Sequence, residues 1–294
     1  MSFQRAVVSA ALPVLLSGAA ILCPAGEPPP LTAKQIMRKV AWHQNKAQTL
    51  REAFRYNQSV LVRFHKGKKL VREEAYEYEV KPSARGTEKE RTSFLGQYRY
   101  KGELAHYYDP EWEASDVDID GELITEIAGE LTNDEDAKDG IERDLFPLTL
   151  QKQKNLEFTL AGRETYRGRD VYRIEFEPIK KSWTEGGVPW AGEVLVDAAK
   201  LQPVLVTTHQ AKGIPVWVRV VLGTNIAELG FKVTYEEFED DLWFPVSYGG
   251  EFSVRGLFFY KRNISISLRN SGFERSQVTS EVAYGDPVAK EPAP

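Results

Sequence analysis

The sequence predicts a mainly β protein built on a curved antiparallel sheet, and three observations carry that expectation. The first is a long run of alternation between Gly192 and Arg269. Val194, Val196, Val204, Val206, Val216, Val218, Val220, Phe231, Val233 and Tyr235 fall on one side of their strands. Phe244, Val246, Tyr248, Phe252, Val254, Ile264, Ile266 and Leu268 continue the pattern. A strand turns successive side chains to opposite faces, so this gives a sheet with one apolar face. The second is an earlier strand pair. Phe54, Tyr56, Val60, Val62 and Phe64 alternate with polar residues, Lys66-Gly67-Lys68 makes a turn, and Tyr76, Tyr78 and Val80 return. The third is that the turns are short, which favours an antiparallel meander, curled or closed.

The elements follow in order. Arg5 and the uncharged run Ala6 to Leu22, ahead of Cys23-Pro24-Ala25, read as a signal peptide over residues 1–25, cleaved after Ala25. An uncleaved anchor is the alternative, but about 17 residues is short for a span. A lipid on Cys23 is disfavoured by Leu22 before it. Cys23 is the single cysteine, so the mature chain would hold no disulfide and no thiol nucleophile. Residues 26–30 form a Pro-rich spacer. A single domain over 31–280 and a loose polar tail over 281–294 complete the division. Thr32 with Gln35 three residues on is a capping-box pattern that opens a helix. Ile36, Val40 and Ala47, with Met37 and Trp42 nearby, mark its apolar side up to Leu50. Two further strands are expected at Glu88–Leu95 and Gln97–Tyr108.

The segment 109–146 breaks the rhythm as an acidic helical insert. From Asp109 to Asp144 it holds 15 acidic residues against Lys138 and Arg143. Leu123, Ile127 and Leu131, spaced by four, predict one helix, and Lys138–Leu145 before Pro147 predicts a second. Strands resume with Leu156, Phe158 and Leu160, then with Tyr172, Ile174 and Phe176 up to Pro178.

Most chemistry is excluded by residue type and spacing. Asp116-Val117-Asp118-Ile119-Asp120-Gly121 begins like a calcium loop, but the twelfth position is Ile127 where a bidentate carboxylate is needed. An exposed acidic loop ahead of a helix explains it as well. His43, His65, His106 and His209 show no metal-ligand spacing. There is no Gly-x-Ser-x-Gly, no phosphate loop and no dinucleotide fingerprint. The net charge of −5, without a basic patch interleaved with aromatics, argues against nucleic acid. The expectation is a protein that is not an enzyme and needs no cofactor. Its curved sheet carries more apolar face than three helices cover, which suits an apolar ligand.

Three stretches also resemble a known family. They are Leu31-Thr32-Ala33 with its helix leading into Phe54-Arg55-Tyr56-Asn57-Gln58, then Gly168 to Ile174, then Val194-Leu195-Val196-Asp197 followed by Leu201-Gln202-Pro203-Val204. With the order of elements, they are similar to the outer-membrane lipoprotein-sorting superfamily, the LolA-like fold, over most of residues 31–270. The resemblance implies an unclosed antiparallel β-barrel of about eleven strands, with a few helices lidding its concave face. It implies a periplasmic, non-enzymatic carrier or acceptor of lipid or lipoprotein acyl chains, working with a membrane-associated donor or acceptor protein and associated with the outer membrane. The alternative within the fold is a protein-interaction or envelope-stress sensor module. The carriers' lid arginine has Arg55 and Arg63 as candidates. The expected lining is Phe54, Tyr56, Val60, Val62, Phe64, Tyr76, Tyr78, Phe94, Phe158, Val194, Val196 and Val218, with Leu123 and Ile127 acting from the lid.

Overall fold

Eleven antiparallel strands pair into one sheet, and chain order is kept between neighbours except at one junction. The strands are β1 (Phe54–Lys66), β2 (Lys69–Ser83), β3 (Gly86–Tyr100), β4 (Glu103–Tyr107), β5 (Leu156–Tyr166) and β6 (Arg169–Pro178). They continue as β7 (Trp190–Asp197), β8 (Pro203–Gln210), β9 (Ile226–Glu239), β10 (Leu242–Gly256) and β11 (Tyr260–Arg275). Across the sheet the order is β4-β3-β2-β1-β11-β10-β9-β8-β7-β6-β5. The first strand therefore pairs with the last, and the sheet ends at β4 and β5, which do not join. This is the unclosed antiparallel architecture expected from the sequence. The computed structural model describes residues 30–83, 86–110, 146–179, 190–211, 226–239, 242–256 and 260–276. The segments expected to form the signal peptide, the Asp116–Gly121 loop, the two helices of the acidic insert, the strand around Val218 and the polar tail lie outside the described residues.

Local chemistry explains the main boundaries. Helix α1 (Ala33–Arg51) opens on the expected capping box. The Thr32 hydroxyl accepts from the Gln35 N–H at 3.3 Å, and the Gln35 side chain accepts from the Thr32 N–H at 2.8 Å. Two donors that the first turn leaves free are thereby satisfied. The helix buries Ile36, Met37, Val40, Ala41, Gln44, Ala47 and Arg51. Trp42 departs from the expected apolar side: it is 58% exposed, four residues along the outer line of the helix from Arg38 and Lys46. The β7–β8 hairpin turns on Asp197, whose carboxylate accepts from the N–H groups of Ala199 at 3.0 Å and Lys200 at 2.8 Å. An acid at that strand end forms the turn by accepting from the backbone that follows it.

One boundary differs from expectation. The sequence suggested a break at Gly96, yet β3 runs straight through it, and the turn falls at Lys101-Gly102, with φ of 47° and 97°. Two successive left-handed residues make the tight hairpin that joins β3 to β4. Gly96 serves packing instead. A Cβ there would fall inside the ring of Tyr107, which lies across it from β4.

Helix α1 packs chiefly on β5, β10 and a second short helix, α2 (Leu150–Gln153). Three side chains fasten it. Gln44 donates to Gln202 at 3.1 Å, Arg51 donates to the Trp243 carbonyl at 2.9 Å, and Gln153 donates to the Met37 carbonyl at 2.8 Å. Burial extends to the other face of β7 and β8, where Leu195 and Leu205 are also buried.

Candidate functional site

The register of the strands turns the one-dimensional alternation into rows that cross the sheet. One row reads Phe94, Tyr76, Val60, Leu268, Tyr248, Val233, Val206, Val194, Ile174 and Leu160. Each residue pairs with the next on a neighbouring strand, so a belt of aliphatic and aromatic side chains, with hydroxyls at Tyr76 and Tyr248, runs from β3 to β5. The adjacent row begins at Tyr107 and passes through Gly96, Glu74, Val62, Ile266, Gly250, Phe231, Thr208, Gly192, Phe176 and Phe158. Three of those positions are glycine: the Tyr107 ring lies over Gly96, the Phe231 ring over Gly250, and the Thr207 backbone approaches Gly192.

The belt is packed where β1, β2 and β11 meet. Val60, Val62, Phe64, Tyr76, Ile264, Ile266 and Leu268 form one buried cluster, with Val71, Tyr78, Phe94 and Tyr248 against it. Phe94 lies 4.9 Å from Tyr76 and 5.6 Å from Tyr107, measured between ring centres.

A buried polar group sits within this apolar surface. Glu74 is 2% exposed and accepts from the Tyr107 hydroxyl at 2.6 Å, the Tyr76 hydroxyl at 2.9 Å and Arg72 Nε at 2.9 Å. The Arg72 guanidinium makes a second contact with the same carboxylate and stands over the Phe64 ring at 5.6 Å. A carboxylate removed from water is tolerable only with donors of this number and a partner charge. Burial, and then the Glu74 charge and its hydrogen bonds, push both tyrosine hydroxyls above their ordinary range, so they stay protonated as donors. A second polar pair bounds the cluster on the other side: Gln58 donates to Asn270 at 3.1 Å, and Asn270 donates to the Pro245 carbonyl at 3.0 Å.

The expected lining residues divide into groups. Val60, Val62, Phe64, Tyr76, Tyr78 and Phe94 come together in the belt cluster, and Val194 stands farther along the same row. Val196 shares the face of Val194 and is fully buried. Phe158 closes the second row at the β5 edge and is half-buried. Phe54 and Tyr56 stand apart from the belt at the rim. Phe54 packs with Ala47, Leu242, Phe244 and Phe273, and the Tyr56 ring lies 5.5 Å from that of Phe273. Leu123, Ile127 and Val218 lie outside the described residues.

The rim also holds a cavity of about 430 Å³, walled by Phe238, Phe244 and Phe273 with Arg167, Glu236 and Arg269. Neither arginine candidate for a lid contact faces the belt. Arg55 bonds Glu274 on the outer face at 2.7 Å, and Arg63 pairs with Glu73 there. Both occupy odd positions of β1, whereas the belt uses the even ones. The inward cation is Arg72, which sequence reasoning missed together with Glu74 and Tyr107. Their signal was parity, since 72 and 74 share the even positions of Tyr76, Tyr78 and Val80. Among the described residues no three His, Cys, Asp or Glu side chains gather as metal ligands. No described helix is long and apolar enough to cross a membrane.

No family model and no curated protein matches the chain. Among solved structures it is similar to the LolA superfamily protein NE2245 from Nitrosomonas europaea, with 13% identity, a TM-score of 0.36, and 85% of this chain and 96% of that one covered. It is similar to a domain from Vibrio parahaemolyticus named for outer membrane lipoprotein sorting, with 12% identity, a TM-score of 0.38, and coverage of 83% and 95%. A DUF1329 family protein from Desulfovibrio piger gives 12% identity, a TM-score of 0.41, and coverage of 87% and 98%. The superfamily that the sequence resembles is the one that the first two structures are named for. Likeness at this level carries no weight for function, which has to come from the chain's own chemistry.

Proposed function

We propose that the protein binds acyl chains of a lipid or lipoprotein against the apolar belt of its open sheet, as a non-enzymatic carrier or acceptor acting after export. The observation that supports this is the continuity of the belt: ten paired positions from Phe94 to Leu160 are aliphatic or aromatic, while the described helix α1 packs chiefly at the β5 and β10 parts of the sheet. Removing acyl chain from water is worth about 0.8 kcal/mol per methylene. A chain of about 14 carbons would therefore gain near 10 kcal/mol before the costs of ordering, ample for tight binding. The binding surface comprises Val60, Val62, Phe64, Tyr76, Tyr78 and Phe94, continued by Val194, Val196 and Phe158. The belt cluster is buried, so an acyl chain must displace what covers it. The Arg72–Glu74–Tyr107 group sets polar atoms within the apolar surface, beside which an ester or headgroup would lie. A donor or acceptor protein at the envelope membrane would supply and remove the cargo.

The test is native mass spectrometry with lipid extraction on protein exported to a periplasm. A stoichiometric lipid is expected in the parent, and its loss is expected in Val60→Trp, which fills the packed cluster of the belt. Val60→Trp is preferable to Val62→Glu, because Val62 stands opposite Glu74 and a second carboxylate there would threaten the fold. Normal loading by a folded Val60→Trp protein would overturn the assignment. So would a parent that is empty and takes up no fluorescent fatty acid.

A further inference from the structure

The outer face of α1 carries a chemistry unlike the rest of the chain. The helix contains Lys34, Arg38, Lys39, Lys46 and Arg51 and no acidic residue, in a protein of net charge −5. Arg51 is buried, but the other four are exposed. Lys34, Arg38, Trp42, Lys46 and Leu50 follow one another at intervals of four, each about 40° farther round, so they wind across the outer face with Trp42 at its middle and Lys34 and Leu50 at its two edges. Trp42 at its centre is 58% exposed, Leu50 at its end is 48% exposed, and Lys46 stands 5.7 Å from the indole centre. Lys34, Arg38 and Lys39 have no carboxylate partner among the described residues. Helix α2, which is tied to α1 through Gln153, adds Lys152 and Leu150, the latter 54% exposed, and Lys154 follows at its C-cap.

An indole 58% exposed on a helix whose opposite face is already buried is left with most of its surface in water. Cations flanking a tryptophan and a leucine suit one environment in particular. Indoles favour the headgroup level of a bilayer, and lysine and arginine beside them meet lipid phosphates. We infer that the outer stripe of α1, Lys34 to Leu50, is a docking surface for an anionic lipid bilayer. The helix lies flat, with Trp42 entering the headgroup layer, Arg38 and Lys46 on either side of it, and Lys34, Lys39 and Leu50 at the edges of the docking face. Its inner side stays on the sheet throughout. A soluble polyanion would use the cations and leave Trp42 and Leu50 unused, so the lipid surface accounts for more of the stripe.

The inference does not depend on what the belt holds, and one set of proteins separates the two. The exported protein is mixed with vesicles of phosphatidylglycerol and phosphatidylethanolamine, and separately with vesicles of phosphatidylcholine alone. The bound fraction is read by flotation. Binding to the anionic vesicles is expected, weakening as salt rises, with little binding to the neutral ones. Each cation near the surface is worth about fivefold, so Arg38→Gln/Lys39→Gln should weaken binding about twenty-five-fold. Trp42→Ala should weaken it several-fold while leaving its salt dependence intact. All three positions are exposed, and unchanged melting curves check that the variants fold. Val60→Trp should float like the parent. No flotation, equal flotation with phosphatidylcholine, or parent-like binding by both α1 variants would overturn the inference. Loss of heparin retention in Arg38→Gln/Lys39→Gln without any flotation of the parent would assign the stripe to a soluble polyanion and overturn it too.

Discussion

Gly96 and Tyr107 show how one small residue can hold a buried charge in place. The Tyr107 ring lies over Gly96, and only from there does its hydroxyl reach Glu74 at 2.6 Å. Gly96→Ala inserts a methyl where the ring is. It should destabilise the protein by about 1–3 kcal/mol, the usual range for overpacking, as read from urea denaturation. The same group sets an alkaline limit. Tyr76 and Tyr107 have folded-state pKa values raised above the ordinary 10.0, chiefly by burial. Their contribution is fully present below pH 10, and it is lost as pH rises above the unfolded value towards the raised one. Melting temperature should therefore fall above about pH 10, and the fall should be shallower in Tyr107→Phe. A parent whose melting is flat through that range would refute the assignment. None of this was obvious from residue types, because a glutamate and an arginine on an amphipathic strand are ordinarily placed in water. Their even numbers, shared with Tyr76 and Val80, put them on the apolar side, and register supplied the tyrosine from a strand farther along.

At the level of elements, helix α1 was legible from end to end except for its outer line. The capping box forms as expected, and Thr32→Ala should cost about 1 kcal/mol, seen as a lowered melting temperature with belt loading unchanged. Trp42 misled because an aromatic near an apolar stripe is usually core, whereas here the stripe is narrow enough to leave it outside. Strand β3 misled in the opposite sense, because a glycine between two alternating segments usually marks a turn. Long-range packing of Tyr107 overrode that local preference. In β10 the alternation itself shifts. Phe244, Val246 and Tyr248 share parity in the sequence, but register slips between Pro245 and Ser247 against β9, so one side chain of the series is the bulge. Arg55 and Arg63 were drawn into consideration by their place on β1, yet parity alone sets them on the outer face beside glutamates.

Across the whole molecule, the strand alternation made the sheet and its apolar side readable, while pairing order was not. No local signal says that β1 lies against β11. Distant elements are also tied by charge. Glu237 on β9 meets Lys200 of the β7–β8 turn and Arg169 at the start of β6, the latter at 3.3 Å, and Arg169 reaches Asp197 at 3.2 Å. Hydrogen bonding from Lys200, the largest favourable influence, holds the Glu237 carboxyl below the usual carboxylate range. Stability from this link is present above the unfolded value of 4.5 and is lost as pH falls through the depressed one. Glu237→Gln should lower stability at neutral pH and make the acid limb of the stability profile shallower, measured by denaturant melts from pH 7 downwards. An unchanged acid limb would show that the network is too solvated to matter.

The pairing of the first strand with the last has a consequence in time. The Gln58–Asn270 contact joins residues 212 positions apart, and it lies in the interior of the sheet, not at an edge. A chain emerging from its amino end can zip β1 to β4 as one ribbon, and later β5 to β10 as another, each by neighbouring hairpins. The two ribbons have no shared ladder until β11 arrives and is inserted between β1 and β10. Closing so long a loop is slow, because its entropy is lost before any contact repays it. Until then the Val60–Val62 side of β1 has no β11 neighbour, and the nascent protein spends its longest wait with its greasiest surface half assembled. A chain stopped short of residue 260 should therefore be recovered in aggregates or with chaperones, although ten of its eleven strands have been made.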